Sequence, residues 1–230
     1  MTSSKKIKMP KYRLLVFDFD GTLVDTVADI AYHANGVLDE FCFPSRPIQD
    51  VQEGIGHGVH ELFKHLSREL GEDAALLERA VASFKKRYHE APVIRTKAFP
   101  SVPEMLEGPL KNQQKAVLTN KPQGLTEIIL AKLDLLRHFE IVLGLDAGFA
   151  PKPDPSSLDF VMKKCGRSHE ETVMIGDSRV DRETARNAGV DFVWVDYGYD
   201  SSLASDISVR KSSNATEWAS LVYGFNSHVL

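Results

Sequence analysis

Five short stretches of the chain are apolar without interruption: 14–17, 116–118, 141–143, 173–175 and 192–195. A strand with one wet face alternates apolar and polar residues, whereas an unbroken apolar run suits a strand buried on both faces. Between the last four runs, apolar residues recur at helical spacing. Leu125, Ile128, Ile129 and Leu133 form one stripe over 125–136, and Leu158, Val161, Met162 and Cys165 form a second over 155–165. Val180, Ala185 and Ala188 form a third over 178–188, stopped by Gly189. Strands alternating with amphipathic helices predict a parallel sheet covered on both faces.

Residues 26–90 break the alternation and predict no strand. Val27, Ile30, Ala31, Ala34, Val37, Leu38 and Phe41 share one helical stripe. Val59, Leu62, Phe63, Leu66 and Leu70 share another, and Leu77, Ala80, Val81, Phe84 and Tyr88 a third. The pattern is that of a helical domain of residues 25–92, inserted after the first strand of an α/β core made of residues 1–24 and 93–230. The crossings fall at 22–26 and 91–100. The serine-rich segment 200–213 reads as a surface loop, and 216–223 as a terminal helix.

Charge and cysteine usage narrow the function. Lys and Arg number 28 against 32 Asp and Glu, a formal charge of −4. No broad basic face is implied, which disfavours a nucleic-acid partner. Cys42 and Cys165 are the only cysteines, too few for a disulfide framework, and reduced thiols in a cytoplasmic protein are expected. The basic start MTSSKKIKMPK has no apolar stretch behind it and does not read as a secretory signal. No run approaches the roughly 18 apolar residues of a membrane span. A monomer or homodimer is expected.

The polar residues that follow the apolar runs carry the chemistry. The first run leads into Asp18-Phe19-Asp20-Gly21-Thr22, the second into Thr119-Asn120-Lys121, and the fourth into Gly176-Asp177-Ser178. In a parallel sheet all the C-terminal strand ends share one edge, where open α/β sheets bind ligands. Asp18 and Asp20, two apart on extended chain, can face the same way. Such a carboxylate pair is costly unless a cation lies between the two or one is protonated. Asp177 and Asp181 are four apart at a helix start and share a face. Either they cap and complement that helix, or, beside Asp18 and Asp20, they complete an all-oxygen set suited to Mg²⁺. Lys152 lies among Pro151, Pro153 and Pro155, on backbone that the prolines stiffen. A lysine held near a carboxylate can neutralise it and bind phosphate.

These residues, in this order, resemble the four motifs of the haloacid dehalogenase superfamily of phosphatases with a helical cap. The Asp18–Thr22 stretch is similar to the first motif, Thr119 to the second, Lys152 to the third and Gly176–Asp181 to the fourth. The resemblance covers roughly residues 12–200. Thr119-Asn120-Lys121-Pro122, Gly176-Asp177-Ser178-Arg179 and Asp196-Tyr197-Gly198-Tyr199 resemble the phosphoglycolate phosphatase branch. The resemblance implies a Rossmann-like α/β core and a Mg²⁺-dependent phosphatase acting on a small phosphate monoester such as 2-phosphoglycolate. Asp18 would be the nucleophile and Asp20 the general acid and base. Thr119, Asn120 and Lys152 would hold the phosphoryl group. Asp18, Asp177, Asp181 and the backbone carbonyl of Asp20 would bind Mg²⁺.

Asp20 argues against a dehalogenase, which needs no proton for a leaving alcohol. A sugar-phosphate mutase of the β-phosphoglucomutase type keeps both aspartates and stays open. So does a non-enzymatic phosphoacceptor or binding protein; signalling receivers gather similar groups, though with the acidic pair and acceptor on different strands. The loop Gly54-Ile55-Gly56-His57-Gly58 reads either as a mobile element facing the leaving group or as a plain turn. His57, Lys121 and Arg179 are candidate specificity residues, with Arg46 and Arg95 further afield. His33, His60, His65 and His89 have no metal-ligand spacing and read as structural.

Overall fold

A computed structural model describes residues 11–223; the basic N-terminal run lies almost wholly outside them. Five parallel strands match the five apolar runs. They are β1 (Leu14–Phe17), β4 (Gln114–Leu118), β5 (Ile141–Leu143), β6 (Thr172–Gly176) and β7 (Asp191–Val195). A sixth, β8 (Arg210–Ser212), extends the sheet to the order β5-β4-β1-β6-β7-β8. Residue parity along each strand splits the core in two. Leu15, Phe17, Val117, Val173, Ile175, Val193 and Val195 enter one apolar cluster. Leu14, Val16, Ala116, Leu118 and Met174 enter the other. Both faces are dry, and for that reason the runs are continuous rather than alternating.

Helices close both faces. α6 (Val102–Glu107), α7 (Gln123–Lys132) and α10 (Glu217–Tyr223) contribute to the first cluster. α8 (Ser156–Cys165) and α9 (Arg179–Ala188) contribute to the second. α9 starts in a capping box, with the Ser178 side chain accepting from Asp181 N–H and the Asp181 carboxylate accepting from Ser178 N–H. Gly189 ends it at φ +69°, a left-handed conformation that favours glycine.

The segment between β1 and β4 first forms a two-residue antiparallel ladder, β2 (Val24–Asp25) against β3 (Lys97–Ala98). Between those strands lie five helices: α1 (Val27–Glu40), α2 (Ile48–Glu53), α3 (Val59–Leu66), α4 (Arg68–Glu72) and α5 (Ala74–Glu90). Their apolar residues are continuous with the first core cluster. The insertion is also fastened by one carboxylate. Asp29, fully buried in the first turn of α1, accepts from the N–H groups of Ile94, Arg95 and Thr96 and from the Thr96 hydroxyl, at 2.7–3.0 Å.

Two sequence expectations need correction. The stripe over Val59–Leu70 is two helices, because Ser67 is extended (φ −147°) and its hydroxyl caps Leu70 N–H. The segment 200–213 is not all loop: 210–212 pairs with β7. Its exposed Arg210 and Lys211 hide the strand, since edge strands carry charge. Cys42 and Cys165 are free thiols, and among the described residues no helix is long and apolar enough to cross a membrane.

Candidate active site

The chain leaves β1 with Asp18 N–H bonded to Ile175 O at 2.9 Å, so parallel pairing continues right up to the first carboxylate. Phe19 turns into the core while Asp18 and Asp20 line the cavity. Gly21 then takes φ +84°, and a Cβ there would lie 2.3 Å from Asp177 Oδ2. Both the turn and the close approach therefore exclude a side chain. From the far side Gly198 approaches as closely: its Cβ would stand 2.2 Å from the Asp177 Cβ.

The ends of β1 and β6, the start of α9 and the loop after β5 converge on one buried cluster. Asp18, Asp177 and Asp181 bring carboxylate oxygens within 4.8 Å of one another. Lys152 Nζ donates to Asp18 Oδ1 at 2.7 Å and to Asp181 Oδ1 at 2.6 Å. Asp177 accepts from the Thr22 hydroxyl at 3.2 Å and from Tyr199 N–H at 2.7 Å. Asp181 is wholly buried, and its Oδ2 accepts from Ser178. Its capping role and its place in the cluster are thus simultaneous; the two sequence readings of Asp181 are not alternatives.

Three buried carboxylates and one ammonium leave two negative charges uncompensated. That imbalance acts on each carboxyl. Burial, and then the neighbouring Asp181, push Asp18 up to about 7 against the pull of Lys152. Burial, and then Asp18 and Asp181, hold Asp177 well above the usual carboxylate range. Burial alone would lower Lys152, but Asp18 and Asp181 outweigh it and keep the ammonium charged. An oxygen-only donor set with this charge fits a hard divalent cation such as Mg²⁺.

Asp20 stands apart from the cluster. Its carboxylate accepts from the Thr26 hydroxyl at 2.6 Å and from Lys121 Nζ at 3.0 and 3.2 Å. Thr119 lines the cavity, and its hydroxyl accepts from Lys121 N–H at 3.2 Å; a hydroxyl can accept and donate at once. The Asn120 side chain is directed to backbone rather than to the Asp18 face. Its amide donates to Gly56 O and Lys152 O and its oxygen accepts from Lys152 N–H. What that side chain does is hold the Lys152 loop and the 54–58 loop together.

The cavity above Asp18 encloses about 890 Å³. The helical insertion lines it with the 54–58 loop and with Leu62, Phe84, Lys85, Tyr88 and His89. His57 and Arg179 are exposed at its rim, and His60 and His89 also line it, unlike the buried His33. Arg46 and Arg95 do not line it. Arg46 closes a loop through Asn35, and Arg95 lies over the Tyr32 ring.

Sequence reasoning missed Thr26, Tyr88 and the double role of Tyr199. Besides bonding Asp177 through its N–H, Tyr199 accepts through its hydroxyl from Thr26 N–H at 2.7 Å and Val27 N–H at 3.0 Å. It joins the carboxylate cluster to the first turn of α1. The late Asp-Tyr-Gly-Tyr stretch was the available signal.

Known proteins resemble this chain in sequence and in fold. The family model of haloacid dehalogenase-like hydrolases matches residues 15–195. A phosphoglycolate phosphatase of Pseudomonas syringae pv. tomato is 37% identical over 200 residues, 84% of this chain and 71% of that protein. Phosphoglycolate phosphatase 1 of Pseudomonas aeruginosa is 36% identical over 194 residues, 81% of this chain and 70% of its own. The crystal structure of a predicted phosphoglycolate phosphatase from Haemophilus somnus superposes with a TM-score of 0.82 at 25% identity, covering 90% of this chain and 96% of that one. The chain belongs to the haloacid dehalogenase-like hydrolase family, and it is a phosphatase within it.

Proposed function

We propose that this phosphatase hydrolyses a small phosphate monoester of the 2-phosphoglycolate kind through an aspartyl phosphate on Asp18, with Mg²⁺ as cofactor. The observation that carries the reading is the setting of Asp18. It is a nearly buried carboxylate on the cavity floor, 2.7 Å from Lys152 Nζ and inside a three-carboxylate cluster. The names of the relatives support the substrate class.

Phosphoryl transfer requires an in-line nucleophile and neutralisation of charge on the transferring oxygens, and little else. Asp18 attacks phosphorus as the ester bond breaks. Asp20 gives its proton to the departing alcohol, then takes one from the water that cleaves the aspartyl phosphate and frees inorganic phosphate. Lys152 and Thr119 hold the phosphoryl oxygens. Asp18, Asp177, Asp181 and the backbone carbonyl of Asp20 would hold the cation, which supplies the charge that keeps Asp18 ionised and offsets the phosphoryl oxygens. Asn120 holds the Lys152 loop in register. Residues 25–92 act as a cap domain over a core of 1–24 and 93–230, with the 54–58 loop facing the leaving group.

The test is a panel of small phosphate esters with Mg²⁺, each assayed for inorganic phosphate. Preferred release from short anionic esters such as 2-phosphoglycolate is expected. Return of the phosphoryl group to a sugar, with no phosphate released, would contradict the reading.

A further inference from the structure

In the sequence Lys121 reads as a candidate specificity residue; its surroundings in the fold point elsewhere. It follows β4 and is almost fully buried. Its ammonium has three hydrogens to give. One is shared between the two oxygens of Asp20, at 3.0 Å to Oδ1 and 3.2 Å to Oδ2. Another goes to the Tyr88 hydroxyl at 3.2 Å, with Nζ 4.6 Å from the centre of the Tyr88 ring.

Tyr88 belongs to the last turns of α5, the final helix of the insertion. It is buried, and its ring packs against Phe84 at 5.4 Å and His33 at 5.0 Å. Its hydroxyl therefore moves only with the insertion. Asp20 is also bonded to the Thr26 hydroxyl, and Thr26 immediately precedes the first helix of the insertion. One carboxylate is thus tied to the outgoing end of the insertion through Thr26 and to the returning end through Lys121 and Tyr88. Lys121 itself is rooted in the core sheet.

We propose that Lys121 and Tyr88 are positioning residues that hold the Asp20 carboxyl in its working orientation while α5 lies over the site. The proposal rests on the reading of Asp20 as general acid and base. A side chain held on two sides keeps one rotamer, and a proton donor displaced by about 1 Å loses on the order of 10²-fold in rate. If the insertion lifts, the Tyr88 hydroxyl leaves with it and Asp20 is held by fewer partners. Proton donation is then tied to coverage of the site by the insertion.

The experiment separates leaving-group protonation from everything else. The readout is kcat/KM, which reports the steps up to departure of the alcohol and not the later hydrolysis of the aspartyl phosphate that both esters share; it is measured on 2-phosphoglycolate, whose alcohol must be protonated, and on p-nitrophenyl phosphate, whose leaving group needs no proton. The variants are Lys121→Met, Tyr88→Phe, the double variant and Asp20→Asn, each checked for a wild-type melting profile.

Lys121→Met is expected to lose about 10²-fold in kcat/KM on 2-phosphoglycolate, the lower end of general acid–base catalysis. It should lose only about threefold in kcat/KM on the activated ester, where no proton has to be placed on the leaving group. Tyr88→Phe, which deletes one oxygen and keeps the Lys121–Asp20 pair, is expected to lose about tenfold in the same selective way, with KM nearly constant. The double variant should be no worse than Lys121→Met alone, because the two act as one unit.

Equal losses on both esters in Lys121→Met and Tyr88→Phe, or fully additive losses in the double variant, would overturn the proposal. If Lys121→Met fails to fold, Tyr88→Phe alone decides by the same selectivity. Asp20→Asn distinguishes the two levels of failure. If it loses strongly on 2-phosphoglycolate and weakly on the activated ester while Lys121 and Tyr88 variants are unselective, only the positioning role falls. If Asp20→Asn is itself unselective, the acid reading falls and takes the proposal with it.

Discussion

The floor and the roof of the cavity are built by opposite means. The floor is two strand ends, a helix start and a loop that put three carboxylates and a lysine in one buried spot. Each group there is fixed by main-chain geometry: ladder bonds up to Asp18, a capping box at Asp181, and glycines where a Cβ would collide with Asp177. The roof is five helices whose apolar stripes hold them in place by packing. It meets the floor through few polar contacts, among them Asn120 to Gly56, Gln52 to Tyr199 O and Lys121 to Tyr88. A floor of this kind performs one reaction and tolerates little change. A roof of this kind can alter its lining side chains without disturbing the floor's geometry.

Substitutions should therefore fail differently on the two sides, most severely on the floor. Asp18→Asn should fold normally and lose on the order of 10⁵-fold or more in kcat on every ester, the scale set by loss of a nucleophile; steady-state assays check it. Removing the metal with EDTA should abolish turnover, Mg²⁺ should restore it, and Asp177→Ala should raise the Mg²⁺ concentration needed for half activity by about tenfold or more. Lys152→Met should cost about 10²–10³-fold in kcat/KM on all esters alike, as loss of a preorganised charge does. Selective loss on one ester would blur the division between floor and roof.

Asp29 sharpens the comparison, because it belongs to the joint and not to either surface. Asp29→Ala leaves several buried donors unmet and should lower stability by about 3 kcal/mol at neutral pH, read by denaturant unfolding. The pH dependence has a definite sign. Burial raises the Asp29 carboxyl, but the bonds from Thr96, Ile94 and Arg95 outweigh it and hold the folded value below 3.8. The stabilisation is then complete above the unfolded value and is lost as pH falls through the folded one. Wild type and Asp29→Ala should converge only below pH 3.8. The smallest effect is expected at the exposed His57. His57→Ala should change kcat/KM for p-nitrophenyl phosphate less than threefold, and should lower the ratio of 2-phosphoglycolate to that ester by only a few-fold.

The floor was legible in the sequence because topology does most of the placing. Once the apolar runs are parallel strands, the residues just beyond them must meet at one edge, whatever the packing details. The roof was legible as helices but not as contacts. Where the ammonium of Lys121 goes depends on where α5 ends up, and no local pattern encodes that. Asp29 reads as an ordinary first-turn acid until the returning segment 94–96 is laid against it. The edge strand 210–212 has two exposed charged residues out of three, and a sequence pattern has nothing apolar there to register. Tyr199 was visible in the late Asp-Tyr-Gly-Tyr stretch, but its double attachment needs both ends of the insertion to be in place.

The central claim is that the phosphoryl group passes through Asp18. The direct measurement is acid quenching of the enzyme during turnover of a ³²P-labelled ester with Mg²⁺, followed by peptide mapping. The account predicts acid-stable, hydroxylamine-sensitive label on the peptide carrying Asp18, absent from Asp18→Asn. Rapid release of labelled phosphate with no protein-bound label at any quench time, in an enzyme whose Asp18→Asn variant still turns over, would contradict it.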